Sequence, residues 1–265
     1  MNKKTVLIVG ASGGIGGATA ELLAGEGNIV YNGSRSTCGI EGVREALFDV
    51  RDGKAAEKAI DGIANERGGI DWLVYSAGVS LAAPFEHTSE ADMREVFEVN
   101  YFGFARCLQM CLPHMRNAGG GRVVAVSSMG GTFPIVFDPF YSASKAALDI
   151  TVAELNTELN PYNIYLTSVA PGGTATPFSF HRKIYGEEEA GDYNDAMLKA
   201  ANALIDMEQG GDAPELVARQ IVSILKSDKP PMHSASGIKN KALCAAKRLM
   251  PDKAALAVNK KLYDL

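Results

Sequence analysis

Residues 5–16 read Thr5-Val6-Leu7-Ile8-Val9-Gly10-Ala11-Ser12-Gly13-Gly14-Ile15-Gly16, and Ala18 to Ala24 follow as a run of good helix formers. The first five residues are β-branched or apolar, which is the composition of a buried strand. A glycine turn and a helix come straight after it. Strand, glycine turn and helix together make a phosphate cradle. The glycines let backbone N–H groups approach an anion, and the helix N-terminus faces it with the positive end of its dipole. The spacing is Gly-x3-Gly-x-Gly rather than the commoner Gly-x-Gly-x-x-Gly.

The same alternation continues along the chain. Further strands are expected at 28–31, 46–48, 71–75, 122–127 and 164–169. Helices are expected at 16–24, 53–65, 90–117, 139–160, 193–207 and 214–227. Alternating strands and helices predict right-handed β-α-β units: a Rossmann-type α/β fold with a doubly wound parallel sheet and helices on both faces. Ligands of such sheets lie at the carboxyl ends of the strands. Ser12, Arg35, Asp49, Gly78, Ser128 and Pro171 all fall just beyond expected strands.

Tyr141-Ser142-Ala143-Ser144-Lys145 places a phenol and an ammonium four residues apart, on one face of an expected helix. Read alone, that spacing also fits an ordinary surface pair. A nearby cation favours a phenolate, and a tyrosine so tuned can exchange a proton with a substrate oxygen.

Composition narrows the choices. The chain has 265 residues, 46% of them hydrophobic, enough for one domain over residues 1–265 with a large core. A net charge of −5 and the lack of a basic stripe in the first 230 residues argue against nucleic acid. No stretch approaches the length of a membrane span, and the apolar run after Lys4 is too short for a secretory signal. Four cysteines without metal spacing and four scattered histidines predict no metal site. Cys107 and Cys111, one helical turn apart, are expected to be buried free thiols. A reducing cytoplasm is the expected location.

The ordered set of motifs resembles the short-chain dehydrogenase/reductase family from about Lys4 to Thr176. The resemblance implies a cofactor site made by Gly10, Ser12, Gly13, Gly14, Ile15 and Gly16, with Asp49 and Val50 beside adenine. Ser76, Ala77 and Gly78 stand where the family usually has Asn-Asn-Ala-Gly. Pro171, Gly172, Thr174 and Thr176 match its segment beside the nicotinamide. Asn100 matches a helix-kink asparagine holding a water near Lys145. Ser128, Tyr141 and Lys145 match the catalytic serine, tyrosine and lysine. In these roles Ser128 binds the substrate oxygen, Tyr141 is the general acid in reduction, and Lys145 holds ribose hydroxyls. Val9 replaces a usual threonine and Ser76 a usual asparagine, which puts local rigidity at issue more than chemistry.

A site for the unphosphorylated cofactor usually has an acid about 20 residues past the glycines. The window from Tyr31 to Cys38 has none, and it carries Ser34 and Arg35 instead. Arginine offers a planar fork of donors to a phosphate. NADP(H) is therefore the expected cofactor.

The segment 177–212, rich in aromatics, is expected to be a lid. The tail 239–265 is expected to be a docked helix or dimer contact, with membrane-surface contact as the alternative, and it resembles the 17β-hydroxysteroid-dehydrogenase-like subgroup. Phe133, Phe137 and Phe140, with Phe178, Phe180, Tyr185, Tyr193, Met197, Leu198 and Leu204 in the lid, point to a small-molecule ketone or alcohol substrate that is hydrophobic, steroid- or bile-acid-like by resemblance. Another small or acyl ketone is the second choice. A dinucleotide-sensing binding protein and a sugar-nucleotide epimerase are rival readings. Tyr141 and Lys145 are both present, which disfavours the sensor, and the chain length and glycine spacing disfavour the epimerase. A homodimer or homotetramer is expected.

Overall fold

The computed structural model describes residues 3–247 together with 250, 251, 253, 254, 257, 260, 261 and 263. Seven parallel strands form the central sheet in the order β3-β2-β1-β4-β6-β7-β9. They are β1 (Thr5–Val9), β2 (Ile29–Asn32), β3 (Val43–Glu45), β4 (Trp72–Tyr75), β6 (Gly121–Val126), β7 (Ile164–Ala170) and β9 (His233–Ala235). The strand order reverses between β1 and β4, the geometry that opens a crevice at the carboxyl edge. Two short strands, β5 (Leu81–Ala82) and β8 (Lys183–Ile184), pair separately.

Strand β1 shows why the sheet is covered twice. Alternate side chains point to opposite faces. Leu7 and Val9 enter a core with α2 (Gly53–Arg67), α4 (Gly103–Asn117) and α5 (Pro139–Leu159). Val6 and Ile8 enter another with α1 (Gly14–Gly25) and α8 (Pro214–Leu225). A strand buried on both faces needs an uninterrupted apolar run, and residues 5–9 supply it. Cys107 and Cys111 are buried in the first core as free thiols, and burial pushes the Cys107 thiol up to about 12.

Three expectations are corrected. The third strand lies at Val43–Glu45, three residues earlier than expected. The chain still bonds beside β2 afterwards, through Ala46 N–H to Asn32 O and Phe48 N–H to Ser34 O. The expected helix 90–117 is α3 (Glu90–Phe97), a π-helical turn at Glu98–Phe102, and α4. The Tyr75 hydroxyl donates to Val99 O inside that turn at 2.5 Å. An inserted side chain is a recognised cause of a break in the helical ladder. Gly103 sits against this hydroxyl and Val50, leaving no room for a Cβ. Strand β9 was not anticipated, because His233-Ser234-Ala235 has no apolar run. It is pinned instead by its parallel pairing with Ser168–Ala170.

The segment 177–212 is folded. It holds a 3₁₀ turn (Pro177–His181), β8, α6 (Glu187–Ala190) and α7 (Asn194–Gln209). In the tail, α9 (Gly237–Lys247) packs Asn240 against Gly172, and Tyr263 is buried beside Ala200 and Leu204. The rest of the tail expectation falls outside the described residues.

Asn156 on α5 fastens that helix to the sheet. Its Nδ2 donates to Val152 O and Leu166 O, and its Oδ1 accepts from Leu166 N–H. Replacing it with alanine strands buried backbone groups, so Asn156→Ala should cost about 2–4 kcal/mol in urea unfolding. A loss under about 1 kcal/mol would show that water or local relaxation replaces these bonds.

Candidate active site

The glycine loop leaves β1 and enters α1. Gly10 has φ +94°, and a Cβ there would lie 2.6 Å from Ala77 N. Gly16 is pressed against Gly10 O, so neither position tolerates a side chain. Gly13, by contrast, faces open space. Ser12 N–H donates to Ser34 Oγ at 3.2 Å, which ties the loop to the end of β2. Gly14 packs against Thr176. Ile15 packs into the core of the α1 side and anchors the helix start. A cavity of about 320 Å³ runs between Ser12, Gly13, Gly14, Cys38, Thr176 and Pro214. Close backbone approach, an open glycine and a helix N-terminus fit the phosphates of a dinucleotide.

The end of β2 is built differently from the sequence picture. Ser34 is buried and already accepts a bond, whereas Arg35 is exposed and enters no ion pair among the described residues. One carboxylate missed by the window argument approaches from β3. Glu45 accepts from Asn32 Nδ2 at 2.6 Å and from Cys38 N–H at 3.0 Å. These bonds shape the 34–38 loop and hold Glu45 in its ionised form, its pKa lowered despite opposing desolvation. Asp49 is closed by a fork from Arg51, whose Nη1 also reaches Glu95 at 2.8 Å. Its carboxyl is lowered chiefly by that Arg51 bond. Val50 is buried and its carbonyl accepts from Arg106.

The next loops converge from β4, β6 and β7. Ser76 N–H donates to Val9 O at 2.8 Å, so backbone does the tying that Ser76 and Val9 side chains do not. Asn100, fully buried in the π-helical turn, accepts from Val79 N–H and donates to Val79 O and Ser144 Oγ. That clamps the Ser76-Ala77-Gly78 loop to α5. A Cβ on Gly78 would stand 3.4 Å from Asn100 Oδ1, 3.6 Å from Lys145 Nζ and 3.8 Å from the Phe178 ring. Met129 N–H donates to Pro171 O at 2.8 Å, joining the loops after β6 and β7. Thr174 is buried, with its hydroxyl on Gly172 O.

Ser128, Tyr141 and Lys145 meet here. The Ser128 hydroxyl lies near enough to the Tyr141 phenol to oppose the rise in its pKa, and it accepts from Gly130 N–H at 2.9 Å. Lys145 Nζ lies 5.6 Å from the Tyr141 ring centroid and donates to Val126 O at 2.8 Å. Burial pushes the Tyr141 phenol well above its ordinary range, with Ser128 opposing. Burial thus outweighs the lowering by Lys145 expected from spacing. Burial also lowers Lys145 to about 8. Around the phenol, Leu81, Ala83, Tyr185 and Met197 form an apolar cluster with Phe137, Phe140 and Phe178 against it. Phe180 points to solvent instead, 68% exposed. Among the described residues no group of His, Cys, Asp and Glu could hold a metal.

The sequence reading missed Asp138. It caps α5, accepting from Tyr141 N–H at 3.3 Å, and Pro139 at the first helical position is the signal that could have found it.

A family model described as short chain dehydrogenase matches residues 4–183. The 3-ketodihydrosphingosine reductase of Bacteroides thetaiotaomicron is 32% identical over 257 residues, covering 95% of each chain. The 17-beta-hydroxysteroid dehydrogenase type 1 of Homo sapiens is 30% identical over 254 residues, covering 87% of this chain and 76% of its own. The crystal structure of a short-chain dehydrogenase from Streptomyces avermitilis superposes with a TM-score of 0.82 at 29% identity, over 99% of this chain and 97% of that one.

Lys145 carries a pH signature. Its ammonium titrates near 8 in the folded chain against an ordinary 10.5, so the unfolded chain binds more protons between those values. Stability should therefore rise with pH across that window through this group. Urea midpoints of wild type and Lys145→Met compared between pH 8 and about 10 isolate it: the wild type should gain relative to the variant. Parallel midpoints would mean the ammonium is not desolvated.

Proposed function

The chain belongs to the short-chain dehydrogenase family, an oxidoreductase family using nicotinamide dinucleotides, and we propose that it interconverts a carbonyl and a secondary alcohol with NADP(H). The observation that carries this reading is the meeting of Ser128, Tyr141 and Lys145 beside the open glycine loop. The cofactor, when bound, supplies or accepts the hydride. Gly10, Ser12, Gly13, Gly14, Ile15 and Gly16 would hold its phosphates, with Asp49, Val50, Ser76, Ala77 and Gly78 toward adenine and ribose, and Pro171, Gly172, Thr174 and Thr176 toward the nicotinamide.

In reduction Ser128 orients the substrate oxygen and Tyr141 gives it a proton. A phenol held neutral by burial is a proton donor across the physiological range. Lys145, charged below about 8, has its Nζ close to Gly78, where it can hold hydroxyls and stabilise a developing phenolate. Asn100 keeps the surrounding loop in register. The segment 177–212 serves as a lid: its Phe178 ring lies 6.0 Å from the Tyr141 ring and next to Gly78. Lid closure excludes water from such a site.

Arg35 supports NADP(H), being an uncommitted exposed guanidinium at the end of β2. Glu45, committed to Asn32 and Cys38, is not free to take a ribose hydroxyl without opening that loop. The apolar cluster on Tyr141 supports a hydrophobic substrate, and the human relative's name is consistent with a steroid-like one. The Bacteroides relative names another ketone and favours a second reading, a reductase of a different ketone substrate. A cytoplasmic homo-oligomer completes the reading. No helix among the described residues is long and apolar enough to cross a membrane.

NADPH oxidation with a ketone panel tests the whole. Tyr141→Phe should lower kcat by about 10²–10⁴-fold while retaining cofactor binding. Near-wild-type turnover would place the proton donor elsewhere. Arg35→Ala should weaken NADPH binding about 10- to 150-fold and leave NADH nearly unchanged. Equal losses for the two cofactors would remove the case for NADP(H).

A further inference from the structure

A second polar chain runs behind the site, and nothing in the proposed chemistry uses it. Asp138 Oδ1 accepts from Tyr141 N–H, and Oδ2 accepts from the Ser80 hydroxyl at 2.5 Å and from Leu81 N–H at 3.3 Å. Ser80 Oγ in turn accepts from Arg182 Nε at 2.8 Å. Arg182 Nη2 then reaches Glu208 Oε1 at 2.7 Å. The side chain of Arg182 is 1% exposed and that of Glu208 15%. Four segments are joined this way: the start of α5, the stretch entering β5, the stretch entering β8, and the end of α7.

Buried ion chains do not generally add stability, because desolvation offsets the attraction. This one is also incomplete: Arg182 Nη1 and Glu208 Oε2 are buried without partners among the described residues. Beside it stands a strained residue. Phe137 has φ +59°, a conformation that is strained for a bulky L residue and tends to persist at functional sites. Its carbonyl accepts from Ala83 N–H at 2.9 Å, and the next residue is Asp138. The strained turn is therefore held from both sides, immediately before the helix that carries Tyr141 and Lys145.

We propose that Asp138, Ser80 and Arg182 are positioning residues for Tyr141, joining the lid segment to the first turn of α5 so that the phenol is held in place when that segment is seated. The inference rests on the reading of Tyr141 as proton donor and adds what sets its position. Ser80 is the middle link, accepting from the lid and donating to the helix cap. Among the described residues Arg182 is the one cation in this hydrogen-bonded series, facing Asp138 through Ser80 and Glu208 directly. Tyr141 and Tyr263 are the other titratable groups near Asp138. Burial raises the Asp138 carboxyl to about 7, with the Ser80 bond and Arg182 opposing. Its charge therefore changes near neutrality, and the charge-assisted links of the chain weaken as it is protonated.

The test uses the full chain with three variants, Ser80→Ala, Arg182→Ala and Asp138→Asn. Ser80→Ala removes one oxygen and little volume, so it reports even if Arg182→Ala fails to fold. Ser80→Ala should lower kcat for ketone reduction about 10- to 100-fold, the scale of a small displacement of a reacting group. The Kd for NADPH, read by fluorescence, should stay close to wild type. Guanidinium ion should restore part of the rate in Arg182→Ala. The kcat profile of the wild type should bend near 7, and Asp138→Asn should lack that bend. Hydrogen exchange supplies a readout free of activity: in Ser80→Ala, protection should fall together at the amides of Lys183 and Tyr141. Lost protection at Lys183 with Tyr141 unchanged, or kcat within twofold of wild type, overturns the inference. A wild type that reduces no ketone, together with the coupled loss of protection in Ser80→Ala, overturns the functional reading and leaves the coupling standing.

Discussion

A sheet whose strands all run the same way must release every carboxyl-end loop at one edge, and the arrangement of this protein follows from that constraint. The glycine loop leaves β1, the Ser34–Arg35 loop leaves β2, the Ser76–Gly78 loop leaves β4, Ser128 follows β6, and the Pro171–Thr176 stretch follows β7. Parallel strands need crossover helices, and these cover both faces with apolar side chains. Residues separated by more than a hundred positions then meet without any local contact having to bring them together. The single bond from Met129 N–H to Pro171 O shows how little is needed once the edge exists.

Rigidity at that edge comes from buried polar side chains that bond backbone. Asn100 clamps the loop after β4, Asn156 fastens α5 to β7, and Asp138 caps the first turn of α5. Each sits where an unsatisfied amide would be expensive, so each is a strong local determinant of position. The Tyr75 hydroxyl plays a similar part. By taking Val99 O it fixes the π-helical turn in which Asn100 stands. π turns recur at functional sites because they redirect a side chain without ending the helix.

How much of this the sequence announces depends on the range of the interaction. Val6 to Val9 are apolar and consecutive, so the buried strand and its glycine turn could be read locally. Tyr141 and Lys145 share a helix face by spacing alone, and Ser128 follows a legible strand. Strand β9 could not be read that way, because His233-Ser234-Ala235 is held by pairing with β7 rather than by its own pattern. Glu45 lies outside the window searched for an acid and reaches the loop only because β3 lies beside β2. The Asp138–Ser80–Arg182–Glu208 chain spans four segments, and no periodicity marks it. The Tyr141 phenol itself illustrates the limit: spacing suggests a lowered pKa, whereas burial dominates in the folded chain and raises it.

The central claim is that this edge moves a hydride to a carbonyl carbon while Tyr141 supplies the proton. Reduction of a hydrophobic ketone with NADPH deuterated at the transferring position, followed by mass spectrometry of the alcohol, tests it most directly. The account predicts one deuterium on the carbinol carbon, and no such alcohol from Tyr141→Phe over the same time. Alcohol formed without deuterium, or NADPH binding with no reduction of any ketone, would contradict it.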